Sequence, residues 1–500
     1  MEGKEIKRMS DVAAILETMD YKNVLKYFTE ISKVPRGSGF NQKISDYLVE
    51  FAKEQGLEYV QDELLNVVIY KPATPGYEKH TPVIVQGHMD MVCVTAEGVS
   101  HDFENEALEL FTEGDWLGAK GTTLGGDDGI AVAFGMALLA DKTISHPALE
   151  IVITTDEETG MYGAKALNPE LLKGRQMINV DSEDEGMVLV SCAGGLRTTG
   201  TLPLRRINEE GVELTLHLHG LLGGHSGAEI HKYRISAVYQ LARLLFDVKR
   251  KLEAENSGYL LTSFTGGEKD NAIPTAAVAK ILVAPEEKET LRNVIGECME
   301  LYQKELSSRE PGMKLTISEE EGNFAAIHPM DFEKLLFLLM QAPNGVQMMS
   351  KEIEGLVESS LNLGIFEMSE EAATIHFSVR SSVSSYKYFV RDRLTYLFEF
   401  LGGECESGSE YPAWEYKKDS ALREKFIEVF KEFYGKEPKV EAIHAGLECG
   451  LICEKIPEMD IVSIGPDMRD IHTPQERLSI SSSVRVYRFV EALLAAMSDK

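Results

Sequence analysis

Two histidines and a set of carboxylates stand where short apolar runs end. PVIVQ (82–86) runs into Gly87-His88-Met89-Asp90, LEIVITT (149–155) into Asp156-Glu157-Glu158, and MINV (177–180) into Asp181. MDIVSI (459–464) leads through Gly465-Pro466 to Ile471-His472-Thr473-Pro474, and Gly125-Gly126-Asp127-Asp128-Gly129 opens an apolar helix. His88 and Asp90 lie two apart on an extended segment and point the same way. Asp90 can therefore hold one ring nitrogen of His88 and leave the other for a metal. The three acids at 156–158 repel one another unless solvent or cations separate them. A carboxylate on a metal beside a free carboxylate is what metal-assisted hydrolysis requires. The ion lowers the pKa of bound water and the free acid takes its proton.

Each feature alone has a plainer reading. Asp127 and Asp128 read as helix caps favoured by the N-terminal dipole. The acids at 156–158, and DSEDE around Asp181, read as acidic surface loops, and His472 as a structural histidine. The metal reading rests on the conjunction.

Converging these residues takes a sheet. The short β-branched runs, with the helix GIAVAFGMALLAD (129–141) between the first two, predict an α/β fold with helices on the sheet faces. In such sheets ligands bind beyond the carboxyl ends of the strands. Ahead of them, DVAAILETMD and NQKISDYLVEFAKEQG have helical spacing. The middle of the chain is a second α/β pattern. VELTLHLHG (212–220), AVAKILVAP (277–285), GMKLTISE (312–319) and ATIHFSVRSS (373–382) read as strands, and 230–253 and 289–306 as long helices. The last hundred residues return to the first style. The expected organisation is one domain over 1–190 and 401–500, interrupted by an inserted domain over 191–400.

Composition narrows the function. The chain of 500 residues carries a net charge of −30. That excludes a nucleic-acid binder, which needs positive surface against phosphate, and disfavours anionic membranes. Six cysteines are too few for a disulfide framework and are expected to be reduced. The charged MEGKEIKRMS has no apolar core for a secretory signal, and no apolar run approaches the ~20 residues that span a bilayer. The expected compartment is cytoplasmic.

GHMDMV, LGGDDGIAVA, TTDEETGM, NVDSEDEG, GGHSGAEIHK, HAGLECG and IHTPQERLSI follow in that order. As an ordered set they resemble the aminoacyl-histidine dipeptidases (Xaa-His or cytosol non-specific dipeptidases) of the carboxypeptidase-G-like di-zinc exopeptidases. The resemblance covers nearly the whole chain. It implies a di-metal catalytic domain with a mostly parallel sheet and an inserted lid domain. It implies that His88 and Asp181 hold one metal, that Glu158 and His472 hold the other, and that Asp127 bridges them. Asp90 would orient His88, Glu157 would be the general base and later the acid, and His225 would donate to the oxyanion. Asn271, Arg380 and Glu448 would contact substrate, Arg380 the C-terminal carboxylate and Glu448 the free α-amine. The cofactor implied is two Zn2+ ions per subunit, with Co2+ or Mn2+ also suiting N/O ligands. Dipeptides are the implied substrates, and a homodimer through the lid domain is a further implication.

Two positions depart from the family's pattern. Tyr233-Arg234-Ile235-Ser236 replaces small polar residues, and Asp128 stands where Asn is common and adds a negative charge near the metals. An N-acyl amino-acid amidohydrolase or a tripeptidase would share the metal motifs. A non-catalytic metal-binding scaffold would have lost a ligand or Glu157, and neither is lost.

Overall fold

The computed structural model describes residues 9–498. Most of the charged N-terminal stretch MEGKEIKRMS, residues 1–8, lies outside them. The chain divides into two compact units. The first runs to Ser191 and resumes over Tyr416–Ala442 and from Leu447 onward; the second is Cys192–Glu415 with Ile443–Gly446.

The first unit is built on an eight-stranded sheet. Its strands lie in the order Glu58–Gln61, Val67–Lys71, Leu149–Thr154, Val83–His88, Gln176–Asn179, Asp460–Ser463, Met187–Cys192 and Lys439–Ile443. Val83–His88 is parallel to both neighbours, and Asp460–Ser463 is parallel to Gln176–Asn179. Further out, Val67–Lys71 and Met187–Cys192 pair antiparallel. Every residue of Val83–His88, Leu149–Thr154 and Asp460–Ser463 is buried. That explains why these strands read as unbroken apolar runs rather than alternating ones. Because the four central strands are parallel, their carboxyl ends share one edge of the sheet. The helix Gly126–Ala140, apolar beyond its two opening acids, packs against the strand Val83–His88. Gly87 permits this approach: a Cβ there would lie 2.3 Å from Ala131 Cβ and from Asp128 Oδ2.

The second unit is a nine-stranded sheet whose paired strands are antiparallel. Helices Ala237–Ala254, Lys288–Leu306, Pro329–Gln341 and Ser384–Leu401 share its apolar core. Residues 401–415, expected with the first unit, belong here because the strand Glu404–Tyr411 pairs with Gly194–Pro203. That strand is largely exposed and polar, so it has no apolar signature. The helix expected over 230–253 starts only at Ala237, after a 3-10 turn at Ile230–Lys232. The Glu310 carboxylate takes the Ile235 amide at 3.0 Å and the Leu222 amide at 2.7 Å, and Tyr233 turns left-handed at φ 52°. Those contacts interrupt a periodicity that would otherwise continue. Among the described residues no helix is long and apolar enough to cross a membrane.

Candidate metal centre

His88 ends its strand as a fully buried side chain. Its Nδ1 lies 3.1 Å from the Asp90 carbonyl and 3.3 Å from the Asp90 carboxylate. Its Nε2 faces Asp127 Oδ1 at 3.2 Å and Asp181 Oδ1 at 3.6 Å. The other Asp127 oxygen, Oδ2, faces His472 Nε2 at 3.2 Å, and that nitrogen is 3.0 Å from Glu158 Oε1. The side chains therefore form one line, Asp181–His88–Asp127–His472–Glu158, with Asp127 giving one oxygen to each half.

The electrostatics of this line call for cations. Burial by itself lowers the His88 pKa, but hydrogen bonds to Asp127, Asp181 and Asp90 outweigh it and raise the pKa well above the ordinary value. Asp127 and Glu158 push His472 up to about 11. Each imidazole nitrogen that faces two carboxylates must share positive charge with them, from a proton or from a metal. Donor geometry fits the second. Atoms ~2.1 Å from an ion at tetrahedral angles stand about 3.4 Å apart, close to the 3.0–3.6 Å seen here. The sets His88–Asp127–Asp181 and Asp127–Glu158–His472 each bring three ligand atoms within 4.8 Å of one another, as does His88–Glu157–Glu158. All donors are nitrogen or oxygen, which suits zinc and its divalent neighbours.

Asp90 knits the loops together. Its carboxylate accepts from Ser38 Oγ at 2.8 Å, Glu157 N at 3.1 Å and Glu158 N at 3.3 Å. Glu157 is half-buried, and desolvation with the carboxylates of Asp181, Glu448 and Glu158 raises its pKa well above the ordinary value, against the pull of His88. A carboxylate whose pKa is raised takes up a proton more readily than an ordinary one, which suits it to proton transfer. Asp128 takes a different place from the one its neighbour holds. It is fully buried, accepts the His88 amide at 3.2 Å, and is pushed well up by burial and by Asp181. That environment opposes the added negative charge expected at this position. Glu448 is also fully buried. Its Oε2 accepts from Gln86 Nε2 and Thr154 Oγ1, both at 2.6 Å, and Oε1 has no hydrogen-bond partner among the described residues. Burial above all pushes its pKa up to about 8.

Glu476 escaped the sequence reading. It accepts the amides of Leu124, Gly125, Gly126 and Asp127 at 2.7–3.3 Å, so it caps the helix that Asp127 and Asp128 open. Its signal was its place four residues after His472, within IHTPQERLSI. The capping role given to Asp127 and Asp128 thus belongs to Glu476, which leaves the Asp127 carboxylate to the two histidines.

The second unit holds His225, Asn271 and Arg380. Nδ1 of His225 accepts the amides of Gly227 at 3.1 Å and Ala228 at 3.0 Å. The ring proton therefore sits on Nε2, making that atom a donor. Burial and the Arg380 charge lower its pKa, which favours the neutral ring. The carbonyl of Asn271 accepts the Ser226 amide at 2.8 Å, which ties it to the His225 turn. Arg380 Nη1 donates to the Tyr411 hydroxyl at 2.8 Å. His444, also missed, is buried and pairs with Ser360 Oγ at 2.7 Å; burial and Arg380 hold its pKa down at about 3. It stands in the HAGLECG segment, whose glutamate alone had been singled out.

The chain is similar to known proteins over nearly its whole length. A model of peptidase family M20/M25/M40 matches residues 84–496. The cytosol non-specific dipeptidase of Escherichia coli (strain K12) is 36% identical over 475 residues, 95% of this chain and 97% of that protein. The crystal structure of an aminoacylhistidine dipeptidase from Vibrio alginolyticus superposes with a TM-score of 0.90 at 35% identity, covering 97% of this chain and 99% of that one. The aminopeptidase PepT from Bacillus cereus, 15% identical with a TM-score of 0.54 over 96% of this chain and 99% of that one, shares the fold.

Proposed function

Because the chain belongs to peptidase family M20/M25/M40, we propose that it hydrolyses dipeptides with a free amino terminus at a two-metal centre. The observation that carries this reading is the Asp127 carboxylate, which presents one oxygen to His88 and the other to His472. The metal sets are His88, Asp181 and Asp127 on one side, and Asp127, Glu158 and His472 on the other. Zinc is the proposed metal. The E. coli relative's name places that protein in the cytosol, and the same compartment is proposed here.

When bound, two divalent cations polarise the scissile carbonyl and lower the pKa of the attacking water. The protein supplies the rest. Glu157 takes one proton from the water as its oxygen bonds to the carbonyl carbon. It then delivers that proton to the amide nitrogen as the C–N bond breaks, releasing two amino acids. Asp90 keeps the proton of His88 on Nδ1, so that Nε2 is free to ligate. His225, with its proton fixed on Nε2, is the proposed donor to the tetrahedral oxyanion. Arg380 is the proposed partner of the C-terminal carboxylate, in the bidentate manner open to a guanidinium. Asn271 is the proposed lid contact, and the unpartnered Glu448 Oε1 the proposed acceptor for the α-amine.

A substrate panel tests the function. The metal-loaded chain should cleave β-Ala-His, Gly-His, Ala-Ala and Leu-Leu, and leave an N-acetylated dipeptide intact. Cleavage of the blocked substrate alone would make the protein an acyl-amino-acid hydrolase, and preference for tripeptides would make it a tripeptidase. No cleavage with two ions bound would leave a non-catalytic scaffold. His225→Ala should lower kcat about 10²–10³-fold, the usual cost of one oxyanion donor, with metal content unchanged. An unaltered kcat in steady-state assays would remove His225 from the mechanism.

A further inference from the structure

Residues 36–41, Arg-Gly-Ser-Gly-Phe-Asn, precede the stretch that the family model matches. They nevertheless touch all three loops of the candidate centre that follow in the chain before Asp181. Arg36 is 2% exposed. Its Nη1 donates to the Met89 carbonyl at 3.1 Å, and its Nη2 to the Gly125 carbonyl. Ser38 Oγ donates to Asp90 Oδ2 at 2.8 Å, and the Ser38 amide to the Met91 carbonyl at 3.1 Å. The Gly39 amide and Asn41 Nδ2 both donate to Asp156 Oδ1 at 2.7 Å. One short segment thus grips the His88–Asp90 loop, the Gly125–Asp127 turn and the Asp156–Glu158 loop.

The packing around Arg36 is close. A Cβ on Gly125 would fall 2.6 Å from Arg36 Nη2, and one on Gly129 2.4 Å from it. The glycines of LGGDDG therefore let the backbone of the acidic turn lie directly on the guanidinium. A buried cation is costly unless it is compensated. Here Glu476, Asp90, Asp128 and Asp127 oppose the loss of charge that burial favours. The guanidinium forms no direct bond to any of these carboxylates; it holds two backbone carbonyls, one next to His88 and one two residues before Asp127.

We infer that Arg36 is a positioning residue for the metal centre: by bridging the Met89 and Gly125 carbonyls it sets the distance between His88 and Asp127, and Ser38 fixes Asp90 from the same segment. This rests on the two-metal reading. Removing the positive charge alone would strengthen cation binding, whereas losing the bridge misplaces the donors. The second effect dominates, because a lost donor position costs directly in ligation while the charge acts at a distance among four carboxylates.

The test measures metal binding rather than turnover. Wild type, Arg36→Met, Arg36→Lys and Ser38→Ala are titrated with Zn2+ against a chromophoric chelator. Their Co2+ spectra and the rise in Tm on metal loading are recorded. Wild type should bind two ions. Arg36→Met should bind at least about tenfold more weakly, the scale on which partners behind the ligands act, with an altered Co2+ spectrum and a smaller metal-induced rise in Tm. Arg36→Lys keeps the charge but cannot span both carbonyls, so it should show the same changes to a smaller extent, as should Ser38→Ala. Affinity and spectrum equal to wild type, or tighter binding, in Arg36→Met would overturn the inference. If that variant fails to fold, unchanged binding in both Arg36→Lys and Ser38→Ala overturns it instead. A wild-type chain that takes up no divalent ion would overturn the two-metal reading itself, and the inference with it.

Discussion

Glu157→Ala should abolish dipeptide hydrolysis while leaving both metal ions in place. The line from Asp181 to Glu158 closes without Glu157, so its loss leaves a three-donor set around each imidazole. What disappears is the group that carries the proton from water to the leaving amine. General acid–base groups contribute about 10²–10⁴-fold, and kcat should fall by at least that much with KM little changed. Glu157 also lies within ligand distance of His88 and Glu158, so the metal content of the variant must be measured beside its kinetics. Two bound ions with no turnover identify the proton carrier. Loss of an ion would make Glu157 a ligand, and full activity would leave the reaction without the proposed base.

Asp127→Ala should have the broader effect. Each of its oxygens lies 3.2 Å from a different imidazole, so one truncation removes a donor from both sets at once. The residual pairs are His88–Asp181 and His472–Glu158, and two donors hold a divalent ion poorly. Affinity at both sites should fall by more than about 100-fold, the upper end of the cost of losing a residue behind the ligands. Activity should be undetectable, and the stabilisation by added Zn2+ should vanish. Asp181→Ala provides the contrast, because it touches only the His88 set. If calorimetric titration of Asp127→Ala still shows two tight sites, Asp127 is no bridge and the two sets do not share it.

The outcome at Asp127 shows where reading along the chain stopped short. By local rules it was a helix cap, since it opens an apolar helix where the dipole favours an acid. The helix is instead capped by Glu476, with the Gly126 amide and its acceptor 350 positions apart. No spacing rule spans that interval. The burial of Glu448 was hidden in the same way: its segment is polar and glycine-bearing, yet it lies fully buried, held by Gln86 and Thr154 from two neighbouring strands. His88, Glu157, Glu158 and Asp181 were legible because each ends or closely follows a buried apolar strand, and strand ends can be read locally.

By itself, then, the sequence determined the buried central strands, the helix after Gly125, the residues at the strand ends and, through its ordered motifs, the family. Those follow from local hydrophobic pattern and chain order, which the folded state preserves. Only the tertiary structure decided that Glu476 takes over the helix cap from Asp127, and that residues 36–41 brace the loops. It also decided that the strand Glu404–Tyr411 joins the second unit and that the His225 proton rests on Nε2. Each of these is a hydrogen bond or ion pair whose partner is set by how elements pack, and such pairings leave no periodic trace in the order of residues.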